Sequence, residues 1–307
     1  MKRLVSLTVL ALGLSVSIAN AAMRAPAPVP TPKNTGPTVN FCTGKLDGNY
    51  YRSAGIISRM NRSVTIQPRE TKGAGENVKY VTDGSCDFGF TQADTLMGAR
   101  EDDPAVETNT QRIIALYDEY AHLLCNRKSG ITKVQQLTSK SVVAIGEDGS
   151  GSYTSWQRFV ASDKKKYGEV KKSDLSGKDA LMAVADGSEA TCMLYMGGVG
   201  NTLLKKDAQK FADKVVLVNL NDGDFGTEKD ASGENVYSYV QIPSNTYGAI
   251  QPSGMLFGKS AIKTVATKSV IIVNRTWKEA NKKLYESLLD SITSANAAIV
   301  KAATPTN

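Results

Sequence analysis

Residues 86–94 read Cys86-Asp87-Phe88-Gly89-Phe90-Thr91-Gln92-Ala93-Asp94. The apolar run Cys86 to Thr91 predicts a buried strand, and Gln92-Ala93-Asp94 opens a helical stretch at its carboxyl end. A strand that feeds directly into a helix is the repeating unit of a wound α/β sheet, and the carboxyl ends of such strands are where these sheets bind ligands. The same alternation recurs upstream. Thr38 to Cys42 is a short strand that breaks at Thr43-Gly44, and Tyr50 to Met60 carries apolar residues at helical spacing. Ser63 to Pro68 alternates as a second strand, Gly73-Ala74-Gly75 breaks it, and Glu76 to Asp83 is a short helix. Downstream, Ile113 to Asn126 is a long, strand-rich segment. The order βαβαβ predicts a parallel sheet.

A second series repeats the plan. Ser141 to Ile145 is a strand, Glu147 to Ser152 a polar loop, and Tyr153 to Ala161 a helix. Asp179 to Asp186 reads as helix, Thr191 to Met196 and Val215 to Leu220 as strands, Val270 to Asn274 as a last strand and Trp277 to Val300 as a long C-terminal helix. Two successive units with a late strand and helix predict an α/β protein of two lobes whose chain crosses between them. Lobe 1 is expected over 38–127 and 246–307 and lobe 2 over 128–245, with hinge crossovers near Arg127 and Asn245 and a central ligand cleft.

Composition fits a soluble globular chain: of 307 residues, 41% are hydrophobic and 22% charged. The formal net charge of +7 is a mild bias with no long basic run, so no nucleic-acid partner is expected. Met1-Lys-Arg, the apolar stretch Leu4 to Ile18 and Ala19-Asn20-Ala21 have the three-part form of a cleavable secretory leader, giving a signal peptide over 1–21 and a periplasmic product. Residues 22–37 alternate prolines as an extended tether. In an exported chain the even set Cys42, Cys86, Cys125 and Cys192 permits disulfides, although all four lie in strand-like runs where buried free thiols fit as well. No CxxC occurs, which argues against zinc or a redox pair.

Several residues have the chemistry of a ligand site. The first N–H groups of a helix have no internal partners and sit at the positive end of its dipole, so loops that open helices receive anions. Thr43 to Tyr51, with Thr43, Asn49 and Tyr50, and Gly149 to Tyr153, with Gly149, Ser150, Gly151 and Ser152, are two such loops. Gln92 follows the third strand and offers an amide, while Asp94 reads first as a helix cap. Arg69 and Lys72 follow the second strand, where Arg69 can meet a carboxylate with two parallel hydrogen bonds. The only histidine, His122, lies among Ala121, Leu123 and Leu124 and reads as a packed, hydrogen-bonded side chain without a paired nucleophile. Neither G-x-S-x-G nor a P-loop is present, so no enzyme and no cofactor is expected. The acidic stretch 221–230 (Asp222, Asp224, Glu228, Asp230) lacks the glutamate of an EF-hand and reads as a solvated loop, while Lys164 to Lys166 and Lys171-Lys172 mark a solvated helix end.

Taken in order, these segments match one family. Thr43-Gly44 with Gly48-Asn49-Tyr50-Tyr51 is similar to T-G-G-x-x-G-x-Y-Y, and Gly75-Glu76-Asn77 to G-S-x-E-N. Asp87 to Asp94 is similar to A-D-L-G-F-x-Q-A-D, and His122-Leu123-Leu124 with Arg127 and Ser129-Gly130-Ile131 to H-L-V-V-R-x-D-S-G-I. Gly149 to Ser152 fits G-S-G-T, and Ile242-Pro243 with Thr246-Tyr247 fits I-P-x-x-T-Y. The chain thus resembles the TAXI family of extracytoplasmic solute-binding proteins that serve TRAP transporters. Lys45 stands where that family has its second loop glycine.

The resemblance implies a type II periplasmic-binding-protein fold, hinged around a ligand cleft. It also implies a non-catalytic receptor that captures a small organic anion, a carboxylate or an amino acid such as glutamate, for TRAP-type membrane permease subunits, acting as a monomer. Tyr247 enters the set of site residues from the resemblance, as an aromatic wall with a hydroxyl tip. The alternative partner is a membrane sensor to which an orphan receptor presents its solute.

Overall fold

A computed structural model describes residues 36–230, 233–254 and 258–304. The expected leader and most of the tether lie outside these residues. In chain order the elements begin β1 (Thr38–Cys42), α1 (Asn49–Met60), β2 (Thr65–Arg69), α2 (Ala74–Thr82), β3 (Phe88–Gln92), α3 (Ala93–Asp102), α4 (Pro104–Asn109) and β4 (Thr110–Asn126). They continue β5 (Val142–Ala144), α5 (Gly151–Ser162), α6 (Lys164–Tyr167), β6 (Lys171–Ser173), α7 (Gly177–Asp186), β7 (Cys192–Gly197) and β8 (Val215–Val218). The last are β9 (Ser238–Ile242), β10 (Ile262–Asn274), α8 (Arg275–Ala280) and α9 (Lys282–Ala303).

All the strands join one sheet, β2-β1-β3-β10-β4-β7-β5-β6, with β8 on β4 and β9 on β10. The sheet is mixed rather than parallel. β1 runs parallel to β2 and β3, and β5 parallel to β6 and β7, as strand–helix–strand units require. The two long strands break the pattern, since β10 is antiparallel to β3, β4 and β9, and β4 antiparallel to β7 and β8. Both pass through two halves of the sheet. Tyr120 of β4 pairs with Ala266 of β10 on one side and with Gly197 of β7 on the other, so the halves meet at these residues. Arg127 is bonded within the second half, to the carbonyls of Ala212, Lys214 and Ala249.

Each half is a helix–sheet–helix sandwich, built by the alternation of its strands. In the first half Phe41, Phe88 and Phe90 meet Ile57 of α1 and Leu288, Ile292 and Ile299 of α9. The opposite face sets Cys42, Val270 and Ile272 against Val78 and Val81 of α2 and Leu96 of α3. In the second half Leu123, Val143 and Leu194 face Trp156 and Phe159 of α5, while Leu124, Ala144 and Met193 face Leu181 and Val184 of α7. Tyr247, Ile250 and Ile262 belong to that last cluster.

The cysteines form two disulfides, Cys42–Cys86 and Cys125–Cys192. The first ties β1 to the segment entering β3. The second joins residues directly opposite in the β4–β7 ladder. The expected C-terminal helix is two helices, parted at Asn281, whose backbone leaves the helical region. No helix among the described residues is long and apolar enough to cross a membrane.

Candidate functional site

A cavity of about 620 Å³ opens where the two halves face each other. Its walls come from the carboxyl ends of strands and the loops that follow: 43–50 between β1 and α1, 72–74 between β2 and α2, Gln92 at the end of β3, 145–152 between β5 and α5, and 193–203 from β7 onward. Tyr117 and Glu119 reach it from β4, and Ala302-Ala303 from the end of α9.

Four helices start at its edge. α5 is capped by Ser150, whose Oγ accepts from the Tyr153 N–H at 3.3 Å, leaving Gly151 and Ser152 at the helix start facing the cavity. No side chain caps α1 at Gly48 or α7 at Ser176. Helix α2 is capped from the other half: the Gly149 carbonyl accepts from the N–H groups of Gly75 and Glu76 at 3.0 and 3.1 Å. Lys45, Arg52, Lys72 and Lys178 surround the mouth. Lys72 lies 3.7 Å from Glu147 and Lys178 3.8 Å from Asp207. Lys45 donates to Ser176 Oγ and Arg52 to the Asp47 carbonyl, so both positive charges face neutral acceptors.

The buried wall has a different character. Thr43, Gln92, Tyr117 and Glu119 are each 5% exposed or less. Gln92 Nε2 donates to Glu119 Oε2 at 2.7 Å. The hydroxyls of Tyr50 and Tyr117 stand beside that carboxyl, buried and without a hydrogen bond of regular geometry. Burial raises the Glu119 pKa to about 7, against the opposing effect of the Tyr50 and Gln92 donors. The carboxyl was missed in the sequence because it sits inside the apolar run 113–126; its signal is that Tyr117, Glu119 and Ala121 share one face of the strand.

Of the ten residues singled out, Thr43, Asn49, Tyr50, Gln92, Ser150, Gly151 and Ser152 line this one cavity. Three do not. Arg69 lies over the Tyr80 ring at 4.1 Å and donates to the Ser85 carbonyl. Gly149 turns its carbonyl to α2 as described. Tyr247 is buried behind the wall rather than forming it: its Oη accepts from the Gly200 N–H at 2.8 Å and from Asn201 Nδ2 at 3.0 Å, and so holds the 200–201 loop at the cavity.

His122 completes this support. Its Nδ1 lies 2.9 Å from the Tyr120 carbonyl and 3.3 Å from that of Tyr195, so this nitrogen carries the proton. Nε2 is then the acceptor, and Tyr247 Oη donates to it at 2.8 Å. Burial holds the ring neutral, its pKa lowered to about 4. Asp94 also does more than cap. Fully buried, it accepts from the Thr95 N–H of its own helix and from Ser155 and Tyr237 of the other half. The acidic stretch is engaged rather than solvated, with Asp222 bound by Lys166 and Tyr167 and Glu228 by Arg158. No group of acidic, cysteine and histidine residues that could hold a metal occurs among the described residues.

Residues 41–304 match the NMT1-like family, which is most of the chain and includes every wall of the cavity. The chain belongs to the NMT1-like family. No curated protein matches this NMT1-like chain in sequence. Solved structures share its fold at low identity. The substrate-binding protein of an amino acid ABC transporter is 11% identical, with a TM-score of 0.52 over 88% of this chain and 100% of that one. The aliphatic sulphonate binding protein SsuA from Escherichia coli is 14% identical, TM-score 0.50 over 88% and 79%. The ligand-binding component of an ABC-type import system from Staphylococcus aureus is 9% identical, TM-score 0.50 over 88% and 80%. The NMT1-like chain thus has the α/β periplasmic-binding-protein fold, with its cavity in the cleft of that fold.

Proposed function

We propose that the chain is an exported, non-catalytic receptor that captures a small organic anion, a carboxylate or an amino acid, and delivers it to a TRAP-type membrane transporter. The observation that carries the reading is the convergence of helix starts from both halves on one cavity, with Lys45 and Arg52 presenting positive charge at its mouth without a carboxylate partner of their own. Backbone N–H groups there receive a ligand carboxylate, and Ser152 and Asn49 add side-chain donors. The two disulfides fit an oxidising compartment, in keeping with the leader-like residues 1–21. The sole histidine is buried and holds Tyr247, so it is not a base facing the cavity.

In this reading the lobes hinge where β4 and β10 pass between the halves, at Tyr120 and Ala266, and closure brings the Gly149 carbonyl onto α2. A thermal-shift screen of small organic acids, sugars and cations tests it. Saturable stabilisation by one or more carboxylates is expected, because a ligand that binds only the folded state raises stability. Stabilisation by sugars or cations, with none by any acid, would overturn it.

A further inference from the structure

The cavity is polarised along its depth. At its mouth Lys45, Arg52, Lys72 and Lys178 alternate with Asp47, Glu147 and Asp207, Lys72 being paired with Glu147 and Lys178 with Asp207, while among the described lining residues Glu119 is the one charged side chain that is buried. Beside Glu119 the phenol oxygens of Tyr50 and Tyr117 are buried, make no hydrogen bond of regular geometry and can accept as well as donate. A carboxyl and two phenols therefore offer three acceptor oxygens around one position. A ligand carboxylate in that position would face a like charge, with no cation on the buried wall to offset it.

Resting on the receptor reading above, we propose that Glu119 is the specificity-determining residue of the site: it takes a hydrogen-bond-donating group, an ammonium, at the buried wall, and so orients an amino-bearing carboxylate with its carboxylate toward the helix starts and lysines of the mouth. A ligand bearing only carboxylates lacks the donor that this wall requires.

Proton linkage distinguishes this orientation from its reverse. The groups that act on Glu119 are the phenols of Tyr50 on α1, Tyr117 on β4 and Tyr195 on β7, the amide of Gln92 on β3 and the carboxyl of Asp94 on α3; Ser269 on β10 stands beside Tyr50 and Tyr117, and the opposite charges Asp47 and Arg52 act on Tyr195. With its pKa raised by burial to about 7, Glu119 is part-protonated in the free protein at neutral pH. An ammonium fixes the ionised form, so binding releases a proton and affinity rises as the pH rises toward about 7. A carboxylate at the same wall would take a proton up, and affinity would fall over the same range.

The test is calorimetric titration of the full chain with matched pairs, L-glutamate against glutarate and L-alanine against propionate, in two buffers of different ionisation enthalpy. The amino-bearing member of a pair is expected to bind at least about tenfold more tightly, with proton release, and Glu119→Gln is expected to erase that preference without changing the melting temperature by more than its own pH effect. Should Glu119→Gln fail to fold, Tyr117→Phe is expected to narrow the preference severalfold. Equal affinity within a pair, proton uptake, or a preference that survives Glu119→Gln would overturn the proposal and leave the receptor reading intact. Heat from neither member of either pair at millimolar concentration would count against both this proposal and the organic-anion reading.

Discussion

Tyr247 Oη donates to Nε2 of His122 at 2.8 Å and with the same oxygen accepts from the Gly200 N–H at 2.8 Å. A single hydroxyl thus connects the only histidine of the chain to a loop of the cavity wall. Tyr247→Phe removes the donor to one buried group and the acceptor for two others. Unpaired buried polar groups cost roughly 1–3 kcal/mol each, less what water recovers, so urea unfolding should show a loss of about 2–3 kcal/mol. Ligand affinity should fall as well, because Tyr247 holds Gly200 and Asn201 at the cavity from behind the wall. An unchanged midpoint and unchanged affinity would separate the relay from the site.

The two buried titrating groups give opposite pH dependences. The His122 pKa is lowered to about 4 in the folded protein, so the unfolded chain binds its proton first, and stability is lost as the pH falls from the ordinary value near 6.5 toward 4. The Glu119 pKa is raised to about 7, so its contribution is present below the ordinary value near 4.5 and is lost as the pH rises through 7. Each amounts to roughly 3 kcal/mol at most. Relative to the natural protein, Glu119→Gln should therefore gain stability between about pH 4.5 and 7. Conversely, His122→Gln should gain it as the pH falls from about 6.5 to 4. Unfolding curves for the two variants across this range must show difference slopes of opposite sign.

At Gly151 the halves approach closely, because a Cβ there would lie 2.5 Å from Gln92 Oε1. Gly151→Ala should prevent this contact while keeping each half folded. Ligand affinity is expected to fall about tenfold or more, because Gln92 also holds Glu119, and small-angle scattering should show a larger radius with ligand than the natural protein has. Natural affinity in the variant would show that this contact plays no part in closure.

The disulfides close loops of 44 and 67 residues. Chain-entropy arguments assign each about 4 kcal/mol. Cys125→Ser with Cys192→Ser should be the more damaging pair, because it also cuts sulfur contacts between paired strands of the second core. Denaturant unfolding with and without reductant measures both.

The strand–loop–helix junctions are legible because their signals are local: Gly44, Gly48, Gly149 and Gly151 punctuate apolar runs, and six of the residues they suggest line one cavity together with Gln92 from the end of the third strand. The long strands are not. In β10 the first half carries Thr264, Thr267 and Ser269 at buried positions, so the apolar alternation that marks a strand appears only from Val270 onward. These hydroxyls are partnered by long-range contacts, as when Thr264 Oγ1 donates to the Ala121 carbonyl 143 positions away. Antiparallel insertion of β10 between β3 and β4 leaves no local signature and turned an expected parallel sheet into a mixed one. Tyr247 was singled out as a wall residue, and its position behind the wall depends on His122, which is remote in sequence.

In the proposed function this cleft holds a small organic anion. Native mass spectrometry of the full chain, exported and purified without refolding, then gently activated, tests it most directly. An added mass of a small carboxylate-bearing compound is expected, shed as an anion and absent from a Glu119→Gln, Ser152→Ala double variant. A natural protein that carries a neutral or purely cationic solute in this cleft, retained unchanged by the double variant, would contradict it.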